Sequence, residues 1–468
     1  MQRRHFLVTS AGALTAASSV FGNPSDTLRM AVVGVGGRGA NHISSFSALP
    51  DVEIAAICDI DDAHLAKGVK QMAGLGKKEP QTYKDVRKLL ENKDIDFISI
   101  ASPNHWHTLM TIWAVQHGKD VYVEKPCSHN IFEAKQIVAA ARKYDRIVQQ
   151  GSQIRSSEAV REGVQKMRDG LIGDVYMARG LCYKWRDTIG HKPVVDVPQG
   201  VDYDLWTGPS PMHQFTMNRF HYTWHWFWDT GNGDLGNQGI HEVDVARWGL
   251  GVKYPVKVSA IGGHFMFDDD QETPNTLNCA FEFADNGRRQ MMEFEVRHWM
   301  SNGEATVGPP PTRGPATAAA APAPAPDGDG PAPRPAGRGG AARPRNTDSI
   351  GNLFYGSKGY LDVDSYSSYK SWLGKEQAEG PAARDSDPMK NHVANFVEAV
   401  RAHKREMLHA EVEEGAASTV LVHLANISYR VGRTINFDSK NFTIIGDSEA
   451  NKYLTREYRK PFVVPEKV

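Results

Sequence analysis

Cysteine is scarce: Cys58, Cys127, Cys182 and Cys279 are the four in 468 residues, far apart and without a C-x-x-C pair. That excludes a disulfide-dense scaffold, and buried packing is their expected role. Net charge is also missing. The 54 basic residues against 55 acidic ones leave a formal charge of -1, which gives no broad field toward nucleic acid or anionic lipid. A small neutral substrate is expected, with no nucleic-acid partner.

The opening stretch "MQRRHFLVTSAGALTAASSVFGNP" has a charged start, a run of apolar and small residues, then small residues where a peptidase could cut. The run is too short and too rich in Ala, Ser and Thr to span a bilayer stably. It reads as a cleavable signal over residues 1–24 with no anchor after cleavage. Arg3-Arg4 before His5-Phe6-Leu7 resembles the twin-arginine signal that addresses folded proteins for export, so a periplasmic or otherwise exported location is expected.

What remains is long enough for two domains. "LRMAVV" is a buried-strand pattern feeding Gly34, Gly36 and Gly39 at G-x-G-x-x-G spacing, and a helical pattern follows. The first glycine permits a tight turn, the second lets a pyrophosphate approach the backbone, and the third lets the helix pack on the strand. A second strand, "DVEIAAICD", ends at Asp59, placed about 20 residues on to grip ribose hydroxyls. An acid there favours NAD over NADP, whose 2'-phosphate it would repel. Strands at "IDFISIAS", "DVYVEKP" and "IVQQGSQ" alternate with helical patterns, which predicts a doubly wound parallel sheet over residues 25–150. Ligands in such sheets sit beyond the carboxyl ends of the strands, where Asn104 and the Glu124-Lys125-Pro126 stretch fall.

The ordered set of glycine turn, Asp59, "SPNHWH", "VEKP" and a later histidine in a glycine-rich segment resembles the Gfo/Idh/MocA oxidoreductases. The resemblance implies an NAD-binding Rossmann domain followed by an α+β domain with an open, mostly antiparallel sheet. It also implies that Lys125 sits at the nicotinamide and substrate, and that Arg38, Asn104, His107 and Glu124 help hold the cofactor. A homo-oligomer, dimer or tetramer, is a further implication.

Residues 151–468 carry strand patterns rich in β-branched and aromatic residues, such as "VYMARGLCYKW" and "RRQMMEFEVRHW". Residues 303–347 interrupt them with Pro, Ala and Gly, a composition that predicts a disordered surface insertion. Two helical runs, "PMKNHVANFVEAVRAH" and "EVEEGAASTVLVHLANISYRVG", close the chain and are expected to pack on the second sheet or against the nucleotide domain.

In "GNGDLGNQGIHEVDVARWGL", a glycine-rich loop enters a helix near His241. The dipole at a helix start disfavours an imidazolium, which suits His241 as a base. His241 matches the family's catalytic histidine, and four residues earlier stands Asn237 where the family pattern has Asp. An amide cannot take the proton, so transfer is expected from Lys125 and His241, with Asp234 or Asp244 in reserve. Tyr183, Trp185 and Arg186, together with Trp224 and His225 in "RFHYTWHWFWDTG", offer aromatic walls for the C–H faces of a sugar. Arg155 and Asp244 complete the candidate substrate contacts. His105 with His107, and His221 with His225, have no carboxylate or cysteine partner near them in sequence, so no metal is expected.

The chemistry expected is oxidation of a sugar or polyol hydroxyl. Little free NAD(H) is available outside the cytoplasm, so an exported enzyme should keep its cofactor and return the hydride in a redox-neutral cycle. A glycoside-cleaving enzyme working through a transient keto-sugar, and a non-catalytic cofactor-dependent sugar sensor, are the alternatives.

Overall fold

The computed structural model describes residues 27–285, 287–299, 349–364, 366–385 and 387–468. The signal at 1–24 and the insertion at 303–347 lie outside the described residues. Six parallel strands form the first sheet: β1 (Leu28–Val33), β2 (Val52–Cys58), β3 (Gln81–Tyr83), β4 (Phe97–Ile100), β5 (Asp120–Val123) and β6 (Val148–Gln150). Their order, β3-β2-β1-β4-β5-β6, is the doubly wound dinucleotide-binding order. Every residue of β4 and β5 is buried, as helices on both faces demand of a parallel sheet.

The helices of this half are α1 (Gly37–Ser47), α2 (Asp62–Gly74), α3 (Val86–Leu90), α4 (His107–Gln116) and α5 (Ile131–Lys143). Local chemistry sets their starts. Asp61 caps α2 by accepting from Ala63 N. At the start of α5, Asn130 caps by accepting from Glu133 N at 2.9 Å, and Glu133 accepts from the N–H of His129, one residue before the cap, at 2.8 Å.

The second half begins with α6 (Glu158–Arg168), β7 (Val175–Tyr183), α7 (Tyr203–Thr207), α8 (Gly233–Asn237) and α9 (Gly239–Leu250). Next come β8 (Lys257–Gly263), β9 (Thr276–Asp285), β10 (Arg288–Arg297), β11 (Ser349–Gly356), β12 (Gly359–Asp364), β13 (Ser368–Leu373), β14 (Ala378–Glu379) and β15 (Ala383–Arg384). The chain ends through α10 (Pro388–Ala402), α11 (Val412–Val431), β16 (Ile435–Asp438), β17 (Thr443–Ile444) and α12 (Ser448–Asn451). Among the described residues eleven strands make the second sheet, antiparallel except where β7 runs parallel to β10. The expected α/β class, a Rossmann sheet followed by an α+β domain with a mostly antiparallel sheet, is the observed one. Asp285 pairs with Arg288 where β9 passes into β10, and Gly287 has φ +75°.

Packing crosses the boundary near residue 150. Phe396 of α10 sets its ring 5.3 Å from Phe97 and 5.8 Å from Tyr122, so the chain returns to cover the first sheet. The helix α11 is buried along most of its length against α5, α9 and β8. All four cysteines are buried and free. Among the described residues no helix is long and apolar enough to cross a membrane.

Candidate active site

A cleft of about 500 Å³ runs from the β1–α1 turn, past the ends of β2, β4 and β5, to an aromatic wall from the second half. Its volume suits a bound small molecule or cofactor. At one end Gly34 has φ +78°, and a Cβ there would lie 2.7 Å from the Ala101 carbonyl oxygen. A Cβ on Gly39 would lie 1.7 Å from the Gly34 carbonyl oxygen. Only glycine fits this turn. Gly36 caps α1 without a side-chain hydrogen bond and lines the cleft with Gly37 and Arg38, so the start of the helix leaves amides there that suit an anion.

Asp59 stands at the end of β2 and lines the cleft, with one oxygen accepting from Val35 N at 2.8 Å and the other from Asp61 N at 3.0 Å. Those bonds fix the carboxylate in the cleft lining. Arg38 and Glu124 also line the cleft and are bound to one another, Nε to Oε1 at 2.8 Å, with His42 Nε2 2.9 Å from the same oxygen. Burial alone would raise the Glu124 carboxyl, but Arg38 and His42 outweigh it and hold it well below the ordinary range. The role of His42 was missed in the sequence because nothing local marks it.

Lys125 lies at the inner end of the cleft and reaches across to the second half, where Nζ donates to the Asn237 carbonyl oxygen at 2.7 Å and stands 3.4 Å from its Oδ1. His241 is buried one turn further along, on the first turn of α9, with its ring edge-on to Tyr366 at 5.3 Å. The residues lining the cleft include Lys125 but neither His241 nor Asn237. Trp224 and His225 do line it, stacked at 3.6 Å, as do Trp206 and Tyr222. Phe220, Trp226 and Phe227 are core instead.

Other expected contacts fall elsewhere. Asn104 is turned inward by a short 3-10 segment, and its Nδ2 donates to Asn232 Oδ1 at 2.6 Å, so it joins the two halves rather than facing the cleft. His107 lines the cleft, yet both its ring nitrogens lie 2.7 Å from main-chain carbonyls, of Pro126 and Ser102. It positions the Glu-Lys-Pro turn. Arg155 and Asp244 are taken up by each other in a buried two-point ion pair at 2.7 and 2.9 Å, away from the cleft lining. Tyr183 is fully buried and donates to Glu295 at 2.6 Å, and Trp185 packs on Trp299 at 4.6 Å, so neither lines the cleft.

Neither reserve acid is available for proton transfer. Burial opposes the Asp234 charge, but Arg186, in two contacts of 2.8 Å, and His298 at 2.8 Å hold its carboxyl well below the usual range. Burial likewise opposes the Asp244 charge, and Arg155 outweighs it. The unusual acid here is Glu242, pushed up by burial to about 8 and contacting Gln238 at 3.2 Å.

Histidines that had no carboxylate partner in the sequence gain one in the fold. His221 gathers with Asp61 and His64, about 160 residues earlier in the chain, where all three line the cleft.

Residues 28–152 match the oxidoreductase family, NAD-binding Rossmann fold, and residues 164–273 with 354–464 match that family's C-terminal alpha/beta domain. The chain belongs to the Gfo/Idh/MocA oxidoreductase family. It is similar to a glycosyl hydrolase family 109 protein of Saccharopolyspora erythraea, 32% identical over 159 residues, which are 33% of this chain and 35% of that one. An alpha-N-acetylgalactosaminidase of Shewanella oneidensis is 29% identical over 204 residues, 37% of this chain and 44% of that one. The matches thus span well under half the length of these curated relatives. The structure of an aldose-aldose oxidoreductase from Caulobacter crescentus, solved with glycerol, shares the fold with a TM-score of 0.60 at 18% identity, covering 88% of this chain and 100% of that one.

Proposed function

We propose that this chain performs NAD-dependent redox chemistry on a hydroxyl of a sugar, polyol or glycoside, keeping its nucleotide bound through a redox-neutral cycle. The observation that carries this reading is one cleft lined by the glycine-only turn, Asp59 and Lys125 together. The residues fit the nucleotide: the α1 amides suit a pyrophosphate, and Asp59 suits an unphosphorylated ribose, favouring NAD over NADP. When bound, the nicotinamide supplies a hydride acceptor and then a hydride donor.

The chain's own part is to bind, orient and move a proton. Lys125 takes the proton of the reacting hydroxyl and gives it back, since Asp234 and Asp244 are locked in ion pairs. The Asn237 carbonyl, 2.7 Å from Nζ, aims that nitrogen, and His241 follows on the first turn of α9. Trp224 and His225 offer flat faces to sugar C–H bonds. The export signal at Arg3-Arg4 explains why the nucleotide would stay bound, because an exported enzyme meets little free NAD(H). A homo-oligomer through the open face of the second sheet belongs to the same reading, supported by exposed Ile261 and Met291.

The family 109 relatives favour a second reading, glycoside cleavage through a transient ketone at the same hydroxyl. The test is to purify the protein, identify its bound nucleotide, and challenge it with sugars and glycosides. Reduction of the bound nucleotide by a free sugar supports the first reading, and glycoside turnover with no net reduced nucleotide supports the second. A protein that holds nucleotide but is inert to the whole panel, like its Lys125→Ala variant, would be a sensor.

A further inference from the structure

Asp61, His64 and His221 take no part in the chemistry above, yet each turns one ligand-type atom toward the others, all within 4.8 Å. His221 Nε2 is 3.1 Å from Asp61 Oδ2, and His64 Nε2 is 4.0 Å from the same oxygen. The two imidazole rings are 4.4 Å apart. Ligand atoms around tetrahedral zinc, with bonds of about 2.0–2.1 Å, stand about 3.4 Å from one another, so small side-chain rotations would close the set. Two imidazoles with one carboxylate suit zinc or a neighbouring late transition metal better than calcium or magnesium, which prefer oxygen.

The outer contacts are those of an oriented site. His64 Nδ1 lies 3.3 Å from Asp59 Oδ2, which directs Nε2 toward the gap. Asp61 spends Oδ1 on the amide of Ala63 at 2.8 Å and keeps Oδ2 for the histidines. The ligands also come from both halves of the fold. Asp61 and His64 belong to the start of α2, whereas His221 comes from the aromatic loop of the second half. Main-chain bonds already join the halves here, Asp202 N to the Ile60 carbonyl at 3.0 Å and Asp62 N to that of Gly200 at 3.2 Å.

We propose that Asp61, His64 and His221 bind one divalent ion of the zinc class, and that this ion latches the His221 loop to α2 across the cleft mouth, slowing nucleotide release. Three protein ligands leave one coordination position for water. Metal binding here does not depend on which sugar, if any, the enzyme oxidises.

The test uses the full chain with a histidine-free affinity tag, stripped with EDTA and titrated with Co²⁺, then with Zn²⁺ as competitor. One Co²⁺ per chain is expected, with visible ligand-field bands that Zn²⁺ abolishes. His221→Gly, which tolerates the φ of +56° at that position, and His64→Ala should each weaken binding about a hundredfold or more. Asp61→Asn keeps the helix cap and should also weaken it. The matched control is His403→Gly: His403 is another histidine at positive φ beside an aspartate, outside the cluster, and its loss should change nothing. EDTA should speed nucleotide release from wild type and not from His221→Gly. Substoichiometric binding, or binding that survives His221→Gly and His64→Ala, would overturn the site. Nucleotide release indifferent to EDTA would overturn the latch.

Discussion

Placing a methyl group on Gly39 tests the nucleotide cradle where its geometry is least forgiving. The added Cβ would fall 1.7 Å from the Gly34 carbonyl oxygen, whereas a carbon and an oxygen in contact stand about 3.3 Å apart. The start of α1 must therefore back away from the turn by about 1.5 Å. Overpacking of this kind costs about 1–3 kcal/mol, less than the roughly 5–15 kcal/mol that keeps a domain folded. Gly39→Ala should consequently fold. Retreat of the helix takes its first amides out of reach of a phosphate, and each charge-assisted hydrogen bond contributes about 1.5–3 kcal/mol. Losing two should weaken NAD binding about 10²- to 10⁴-fold. Gly74→Ala is the control, because a Cβ there meets nothing within 4 Å and should stabilise α2 by about 0.5–1 kcal/mol. Urea unfolding and calorimetric titration with NAD separate the two effects. A Gly39→Ala protein that binds NAD within about threefold of wild type would refute the cradle.

Three further outcomes are expected. Asp244→Asn leaves the buried Arg155 guanidinium with only the longer Glu414 contact, at 3.5 Å, and should cost about 3 kcal/mol in urea unfolding, whereas the Arg155→Met/Asp244→Leu pair should cost clearly less; equal losses would contradict this. Stability should peak near pH 6.5: burial pushes His105, His392 and His423 down to about 3, so only the unfolded chain gains their protons as pH falls below 6.5. Glu242, raised to about 8, works in the opposite direction, losing its proton above about 4.5 only when unfolded; Glu242→Gln should therefore remove a fall of a few kcal/mol between pH 5 and 8, and an unchanged pH profile would count against it. Asp59→Ser removes the like charge beside a 2'-phosphate and should shift the ratio of NADP to NAD affinity toward NADP by about tenfold or more in binding titrations; an unmoved ratio would contradict the assignment.

What the sequence disclosed was what short-range physics determines. The glycine spacing and the acid at the end of β2 sit within one strand-turn-helix unit, and the buried strands betray themselves as apolar runs. Contacts made across the fold were hidden. Arg155 and Asp244 looked like substrate contacts because both are polar and near motifs, but their neighbour in space is each other. Asn104 follows the strand end as expected, yet its side chain is drawn to Asn232 in the second half. His221 gave no metal signal because its partners in space, Asp61 and His64, come from the start of α2 and not from its sequence neighbour His225. His42, beneath Glu124, is an ordinary helical position until the sheet is assembled.

In the proposed function Lys125 faces the reactive end of a bound nucleotide. The deciding measurement compares wild type with Lys125→Ala in two readouts: nucleotide content after purification, and reduction of that nucleotide by the best substrate of a sugar and glycoside panel. Full nucleotide content with reduction slowed about a hundredfold or more is the expected result for the variant. A Lys125→Ala protein that reduces its nucleotide at the wild-type rate would contradict the central claim.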